Sequence, residues 1–317
     1  MTFQLDDREM RDIYCQTISS LAEKDGRIVL LDADLMRADG TMPFRKRFPD
    51  RSFNVGIAEG NMVGVAAGFA ACGKIPFVHT FGPFAARRAC DQIAISAAYS
   101  KLAVKIVGLD PGVSSELNGG THMALEDTAI MRVIPSMLIY EAVDNAQLVQ
   151  ALPQIAAHPG PCYLRLFRKK APRIFDSSLD FALGKANVLR DGADVAIFAS
   201  GLLLHKSLEA ADELARAGIN AAVINIHTIK PLDADCVLSF ARRCGAVVTA
   251  ENNSKLGGLG GAVCELLSET IPTPVIRVGV NDRFGEVGLM PYLHQALEVD
   301  APDVAAAAKR AATLKRK

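Results

Sequence analysis

The chain has 317 residues, half of them hydrophobic, and 35 Lys and Arg balance 35 Asp and Glu. That length supports about two ordinary domains with a substantial core, and the balanced charge gives no pull toward nucleic acid or an anionic membrane, so neither is expected as a partner. The seven cysteines are scattered without a CxxC pair or metal-ligand spacing, and no apolar run reaches the ~20 residues that span a bilayer, so a cytoplasmic protein with reduced thiols is expected.

In chain order, "REMRDIYCQTISSLAEKDG" has apolar residues at helical spacing and ends in Gly, and "RIVLLDADL" follows as a short strand of the buried type. The alternation then repeats. A Gly- and Ala-rich helix is predicted over 57–72, "KIPFVHTF" as a strand, a helix over 84–99, "AVKIVGLD" as a strand, a helix near 123–131, "MLIYEAV" as a strand and "NAQLVQALPQIAAH" as a helix. Residues 173–187, less periodic and containing Pro and Asp, read as a linker. A second alternating unit follows: "DVAIFASG", the helix "LLHKSLEAADELARAG", the strand-rich "INAAVINIHTIKPLD", the helix "ADCVLSFARRCG", "AVVTAENN", the Gly-rich "KLGGLGGAVCELL" and "TPVIRVGVN". The final "AAAAKRAATLKRK" is expected as a frayed basic helix end. The predicted class is α/β in two domains, 1–172 and 188–317, each a mostly parallel sheet flanked by helices.

Parallel sheets bind ligands at the carboxyl ends of their strands. That rule selects Asp32 and Asp34, Glu59, the segment 79–88, Asp110 to His122, and Arg165 to Lys170. Each has a plain reading beside the functional one. Glu59 is the one carboxylate in the uncharged run Phe53 to Gly73, and it is either a first-turn acid stabilised by the helix dipole or a buried acid that needs a partner. His122 in "LNGGTHMALED" is either a surface residue of a Gly turn or a site group. Phe77, Phe81 and Phe84 fit a core or the wall of a flat ligand, and "RLFRKK" fits a solvated cluster or an anion site with Arg168 as the fork. "KLGGLGGAV" lacks the spacing of nucleotide loops and reads as a tight helix start.

Taken in order, "DADL", "FNVGIAEGNMVGVAAGFA", "GKIPFVHTFGPFAARRACDQI", "NGGTHMALEDTAIMRVIP" and "GPCYLRLFR" resemble the carboxyl-terminal section of transketolases, and the resemblance continues through "IKPLDAD" and "VVTAENNSKLGGLGGAVCELL". It implies a first domain that binds the pyrimidine of thiamin diphosphate and a smaller C-terminal domain used for assembly. In the family the acid of "GIAE" shares a proton with the aminopyrimidine, whose own nitrogen then deprotonates the thiazolium. Carried over by motif, Glu59 and His122 are the catalytic residues. Asp34, Ile57, Glu59, Phe81, Phe84 and Arg87 would bind the cofactor, and Arg11, Asn118, His122 and Arg168 the substrate. No "GDG…N" motif for the diphosphate and Mg²⁺ is present, the nearest match being "RDG" at 190–192. The resemblance therefore implies a split enzyme with the metal ligands on a separate N-terminal subunit, in an α2β2 assembly that transfers a two-carbon ketol unit from an anionic ketose to an aldose.

Four departures stand near the substrate: Asn118 in place of an acid, Ala38 in place of a Ser, Asp110 in place of a His, and Gly60 in place of a Gln. An Asp beside a dianion is repulsive, so a donor or acceptor outside the ordinary pentose phosphates is expected. The competing readings are a 2-oxo acid dehydrogenase first-component β subunit, a deoxyxylulose-phosphate-synthase-like enzyme, and a non-catalytic assembly subunit.

Overall fold

The computed structural model describes residues 3–315. Its first half runs α1 (Met10–Lys24), β1 (Ile28–Asp32), α2 (Met42–Arg47), β2 (Ser52–Asn54), α3 (Glu59–Ala71), β3 (Ile75–Phe81), α4 (Gly82–Arg88), α5 (Cys90–Gln92), β4 (Lys105–Leu109), α6 (Asp127–Val133), β5 (Leu138–Glu141), α7 (Asn145–Ala157) and β6 (Cys162–Leu166). The second half runs β7 (Asn187–Arg190), β8 (Val195–Ala199), α8 (Leu203–Arg216), β9 (Ala221–Asn225), β10 (Thr228–Lys230), α9 (Ala234–Cys244), β11 (Val247–Ser254), α10 (Leu259–Thr270), β12 (Val275–Val280), α11 (Met290–Ala296) and α12 (Ala301–Thr313).

Two sheets form, in the orders β10-β5-β6-β4-β3-β1-β2 and β12-β11-β8-β9-β7. Every pairing is parallel except those of the edge strands β10 and β7. Strands β1, β3, β4, β5 and β6 are buried along their whole length, as a sheet covered on both faces requires. One face of the first sheet packs Met10, Tyr14 and Ile18 of α1 and Leu148 and Leu152 of α7; the other packs Met62, Val63 and Ala66 of α3.

The structure departs from the sequence expectations in five places. The helix expected over 84–99 breaks at Ala89 and runs on from α5 as a π-helical segment, Ile93–Tyr99. The helix expected near 123–131 starts only at Asp127, because Gly120–His122 forms a separate short turn. "INAAVINIHTIKPLD" is two strands in different sheets: β9 stays in the second, and β10 crosses to pair antiparallel with β5 of the first. Strand β7 begins at the last residue of the expected linker and pairs antiparallel with β9. The stretch expected as a frayed end is a packed helix as far as Thr313, and its last two residues lie outside the described residues. The side chain of Asp300 caps α12 in a reciprocal box with Asp303, and Val304, Ala305, Ala308 and Ala311 are buried in the second core.

Candidate active site

Glu59 is the first residue of α3 and is buried, so the dipole and burial act on it together. Arg88 answers its charge, donating from Nη1 to Glu59 Oε1 at 2.7 Å. The Arg88 guanidinium also lies 3.8 Å from the centre of the Phe84 ring, a cation–π contact that fixes both side chains. Sequence reasoning passed over Arg88 in favour of its neighbour. Arg87 instead binds Glu126 Oε1 at 2.5 Å and the Thr121 carbonyl at 3.2 Å, which ties α4 to the turn that carries His122. Nothing local to Glu59 names its partner, and only the helix phase of α4 chooses between two adjacent arginines.

Phe81, at the end of β3, and Phe84, in α4, meet edge to face at 6.0 Å, and His122 packs against both at 5.5 and 5.0 Å. His122 is held by its backbone and its ring. Its carbonyl accepts from Ser115 Oγ at 2.5 Å, and its Nδ1 lies 3.0 Å from Thr121 Oγ1. Gly120 is required here, since a Cβ on it would fall 2.2 Å from the Gly285 carbonyl of the second domain. The other bend glycine of this stretch, Gly112, has φ +57° and would put a Cβ 2.1 Å from the Asn252 carbonyl.

The guanidinium of Arg168 lies 4.8 Å from the centre of the Phe81 ring and continues the same wall. Both its Nε (2.8 Å) and its Nη2 (2.5 Å) donate to Asp110 Oδ2, while Nη1 is 3.5 Å from the Ala38 carbonyl. Arg11 reaches that same carbonyl through its own Nη1 at 2.8 Å, and its Nε is bound by Glu9 at 2.8 Å. Burial pushes the Asp110 carboxyl up from its usual range, against the opposing pull of Arg168. Arg11, Ala38, Asp110 and Arg168 are thus assembled from four distant stretches of chain.

Other expected residues stand outside this assembly. Asp34, at φ +66°, is exposed and exchanges hydrogen bonds with Asn54 at 3.0 and 3.1 Å, in a cleft of about 400 Å³ lined also by Arg37 and Arg45. Ile57 is 75 % exposed in the turn before α3, and Asn118 is exposed after a turn of its own. Arg165 is buried and committed to Asp127, Glu141 and the carbonyls of Ala124 and Asn252, so it braces the fold. At Gly60 a Cβ would come 3.0 Å from Gln92 Oε1, so the space a side chain at 60 would occupy is taken by Gln92. The Gly-rich segment at α10 starts a helix whose N-terminus already holds an anion: Glu251 accepts from the backbone of Leu259 and Gly260, both at 2.8 Å.

A buried acid at a helix start beside a wall of Phe81, Phe84 and His122 fits one edge and one face of an aminopyrimidine. Among the described residues no group of three or more His, Cys, Asp or Glu is placed to hold a metal ion. No helix among them is long and apolar enough to cross a membrane.

Comparison with known proteins identifies the family. Residues 6–173 match the transketolase pyrimidine-binding domain and residues 184–304 the transketolase C-terminal domain. The chain is 53 % identical to the 6-deoxy-6-sulfo-D-fructose transketolase subunit SqwH of Clostridium sp. (strain MSTE9), over 96 % of this chain and 95 % of that one. It is 35 % identical to an apulose-4-phosphate transketolase subunit of Phocaeicola vulgatus (strain ATCC 8482), over 86 % and 87 % of the two chains. A solved structure described as a split-gene transketolase, inactive β4 tetramer, superimposes with a TM-score of 0.90 at 45 % identity, covering 97 % of this chain and 99 % of that one. The chain belongs to the transketolase family, thiamin diphosphate-dependent transferases, and has the organisation of the carboxyl-terminal subunit of a split transketolase.

Proposed function

We propose that this chain, joined to an N-terminal subunit that supplies the diphosphate and Mg²⁺ ligands, transfers a two-carbon ketol unit from an anionic ketose to an aldose. An α2β2 assembly in the cytoplasm fits this reading, and the free state of all seven cysteines supports the compartment. The observation that carries the reading is the convergence of Glu59, the Phe81, Phe84 and His122 wall, and Arg168 along the carboxyl ends of one parallel sheet.

Thiamin diphosphate, when bound, supplies the carbon nucleophile that breaks and remakes a carbon–carbon bond beside a ketone. The chain's own residues do the rest. Glu59 would hydrogen-bond a pyrimidine nitrogen of the cofactor, and Arg88 fixes its carboxyl by gripping Oε1. Phe81 and Phe84 exclude water from the ring they face. His122, its Nδ1 engaged by Thr121, keeps Nε2 for a substrate oxygen and passes a proton there as the carbonyl becomes a hydroxyl. Arg168 and Arg11 hold the far, charged end of the sugar. The sulfonated substrate named for the Clostridium relative supports a charged tail other than that of a pentose phosphate.

The test is exchange of the cofactor's thiazolium proton in the reconstituted two-subunit complex, read by NMR. Exchange in the wild type is expected to be fast and to need both subunits, and Glu59→Ala is expected to slow it by about a hundredfold or more. An intact complex of wild-type subunits that exchanges no faster than free cofactor would overturn the reading in favour of an assembly subunit.

A further inference from the structure

The two arginines placed to receive a substrate anion have each already committed their side-on fork, and with it their charge, to a carboxylate. A guanidinium binds a phosphate best through two parallel N–H donors. In Arg168 the Nε and Nη2 pair is spent on Asp110 Oδ2, and in Arg11 the Nε and Nη2 pair is spent on Glu9 Oε2. Their Nη1 atoms both meet at the Ala38 carbonyl, which leaves each guanidinium two further N–H donors, one on each Nη. The nearby Lys169 is likewise matched, by Glu116. Three cations therefore face three carboxylates, Asp110, Glu9 and Glu116. Asp39 is buried beside Asp32, and burial together with that neighbouring carboxyl holds it well above the usual carboxylate range.

Asp110 is the most deeply enclosed of the three acids, 1 % exposed, behind an Arg168 side chain that is 16 % exposed. A substrate reaches Arg168 and not Asp110, but the Asp110 charge is felt through it. Its φ of +54° and its position just past β4 fix that carboxylate with respect to the strand end.

We propose that Asp110 is a positioning residue that, by holding Arg168, makes the tail site accept a monoanionic sulfonate in preference to a dianionic phosphate. The proposal rests on the reading of the chain as a ketol transferase for an anionic ketose. A phosphate monoester carries about −1.5 to −2 at pH 7, and its second charge meets Arg168, Arg11 and Lys169 already paired while it faces the Asp110 carboxylate. A sulfonate carries one charge and asks only for the N–H donors that the Nη groups of Arg168 and Arg11 still have free after these bonds.

The experiment uses the cofactor-loaded two-subunit complex with one aldose acceptor and three donors: 6-deoxy-6-sulfofructose, fructose 6-phosphate, and the uncharged ketose erythrulose. The readout is the sulfonate-to-phosphate ratio of kcat/KM, in which any general damage to the site cancels. The wild type is expected to favour the sulfonate by about tenfold or more. Asp110→Asn keeps the shape and tolerates a positive φ, and it is expected to move the ratio toward phosphate by about tenfold, chiefly through the KM of the phosphate donor. Two results would overturn the proposal while leaving ketol transfer intact: a wild type that prefers phosphate or treats both alike, or a ratio that Asp110→Asn leaves in place. Transfer from erythrulose with neither anionic donor used would remove the anionic-tail reading and the proposal with it. No transfer from any donor would remove the ketol-transferase reading itself.

Discussion

His79 lies in the middle of β3 beneath the aromatic wall, fully enclosed, with Nδ1 3.1 Å from the Leu31 carbonyl and Nε2 2.7 Å from the Tyr14 hydroxyl. These partners suit a neutral ring that donates from Nδ1 and accepts at Nε2. Burial pushes its pKa down to about 4, against about 6.5 in an unfolded chain. Between those values the unfolded chain binds a proton that the native site refuses. This contribution to stability is therefore intact above about pH 6.5 and is lost as the pH falls toward 4. His205, His227 and His294 are shifted the same way, so the effect of one ring is read as a difference. Urea unfolding at pH 6.5 and 4.5 should show His79→Gln losing less stability over that interval than the wild type, by about 2 kcal/mol. The strand-end rule includes this His in the segment 79–88, but its environment comes from α1 and β1, which lie far away in the chain.

At the scale of elements, α12 shows how composition can mislead. Its Ala-rich, Lys- and Arg-bearing sequence reads as a solvated end, yet alanines at one helical phase let it lie close against α8, β11 and β12. Ala308→Asp would bury a charge in that contact without a partner. It is expected to cost about 3 kcal/mol or more in denaturant unfolding, whereas a frayed helix would tolerate it within a few tenths. The Gly-rich start of α10 was legible as a helix start from the absence of nucleotide-loop spacing. What remained hidden was Glu251, eight residues upstream, whose burial raises its pKa to about 7 while two backbone N–H groups draw it back down.

At the scale of the whole molecule, the two halves are joined through one buried guanidinium. Arg165 of β6 binds Asp127 and Glu141 in its own half, at 2.9 and 2.8 Å, and the Asn252 carbonyl of β11 in the other, at 3.1 Å. Asn252 returns two bonds, accepting from the Val113 backbone and donating to the Pro111 carbonyl, just ahead of the stretch that carries His122. Arg165→Met would leave two buried carboxylates unpaired. A loss of about 3–5 kcal/mol is expected in denaturant unfolding, and replacing Asp127 and Glu141 with apolar residues in the same chain should recover most of it. Strand β10 crosses the same boundary, with Lys230 Nζ donating to the Arg132 and Ile134 carbonyls at 2.7 and 2.6 Å.

The sequence by itself determined the α/β alternation, the parallel sheets and the motif set around Glu59, Phe81, Phe84, His122 and Arg168. The alternation follows from local periodicity, and the motif set from the resemblance to transketolases that short stretches of the chain carry. Only the tertiary structure decided that Arg88 and not Arg87 meets Glu59, that β10 leaves its unit to edge the first sheet, and that Asp110 occupies the fork of Arg168. Each is a pairing of charges or backbone groups between segments separated by tens of residues, and burial rather than local propensity selects the partner.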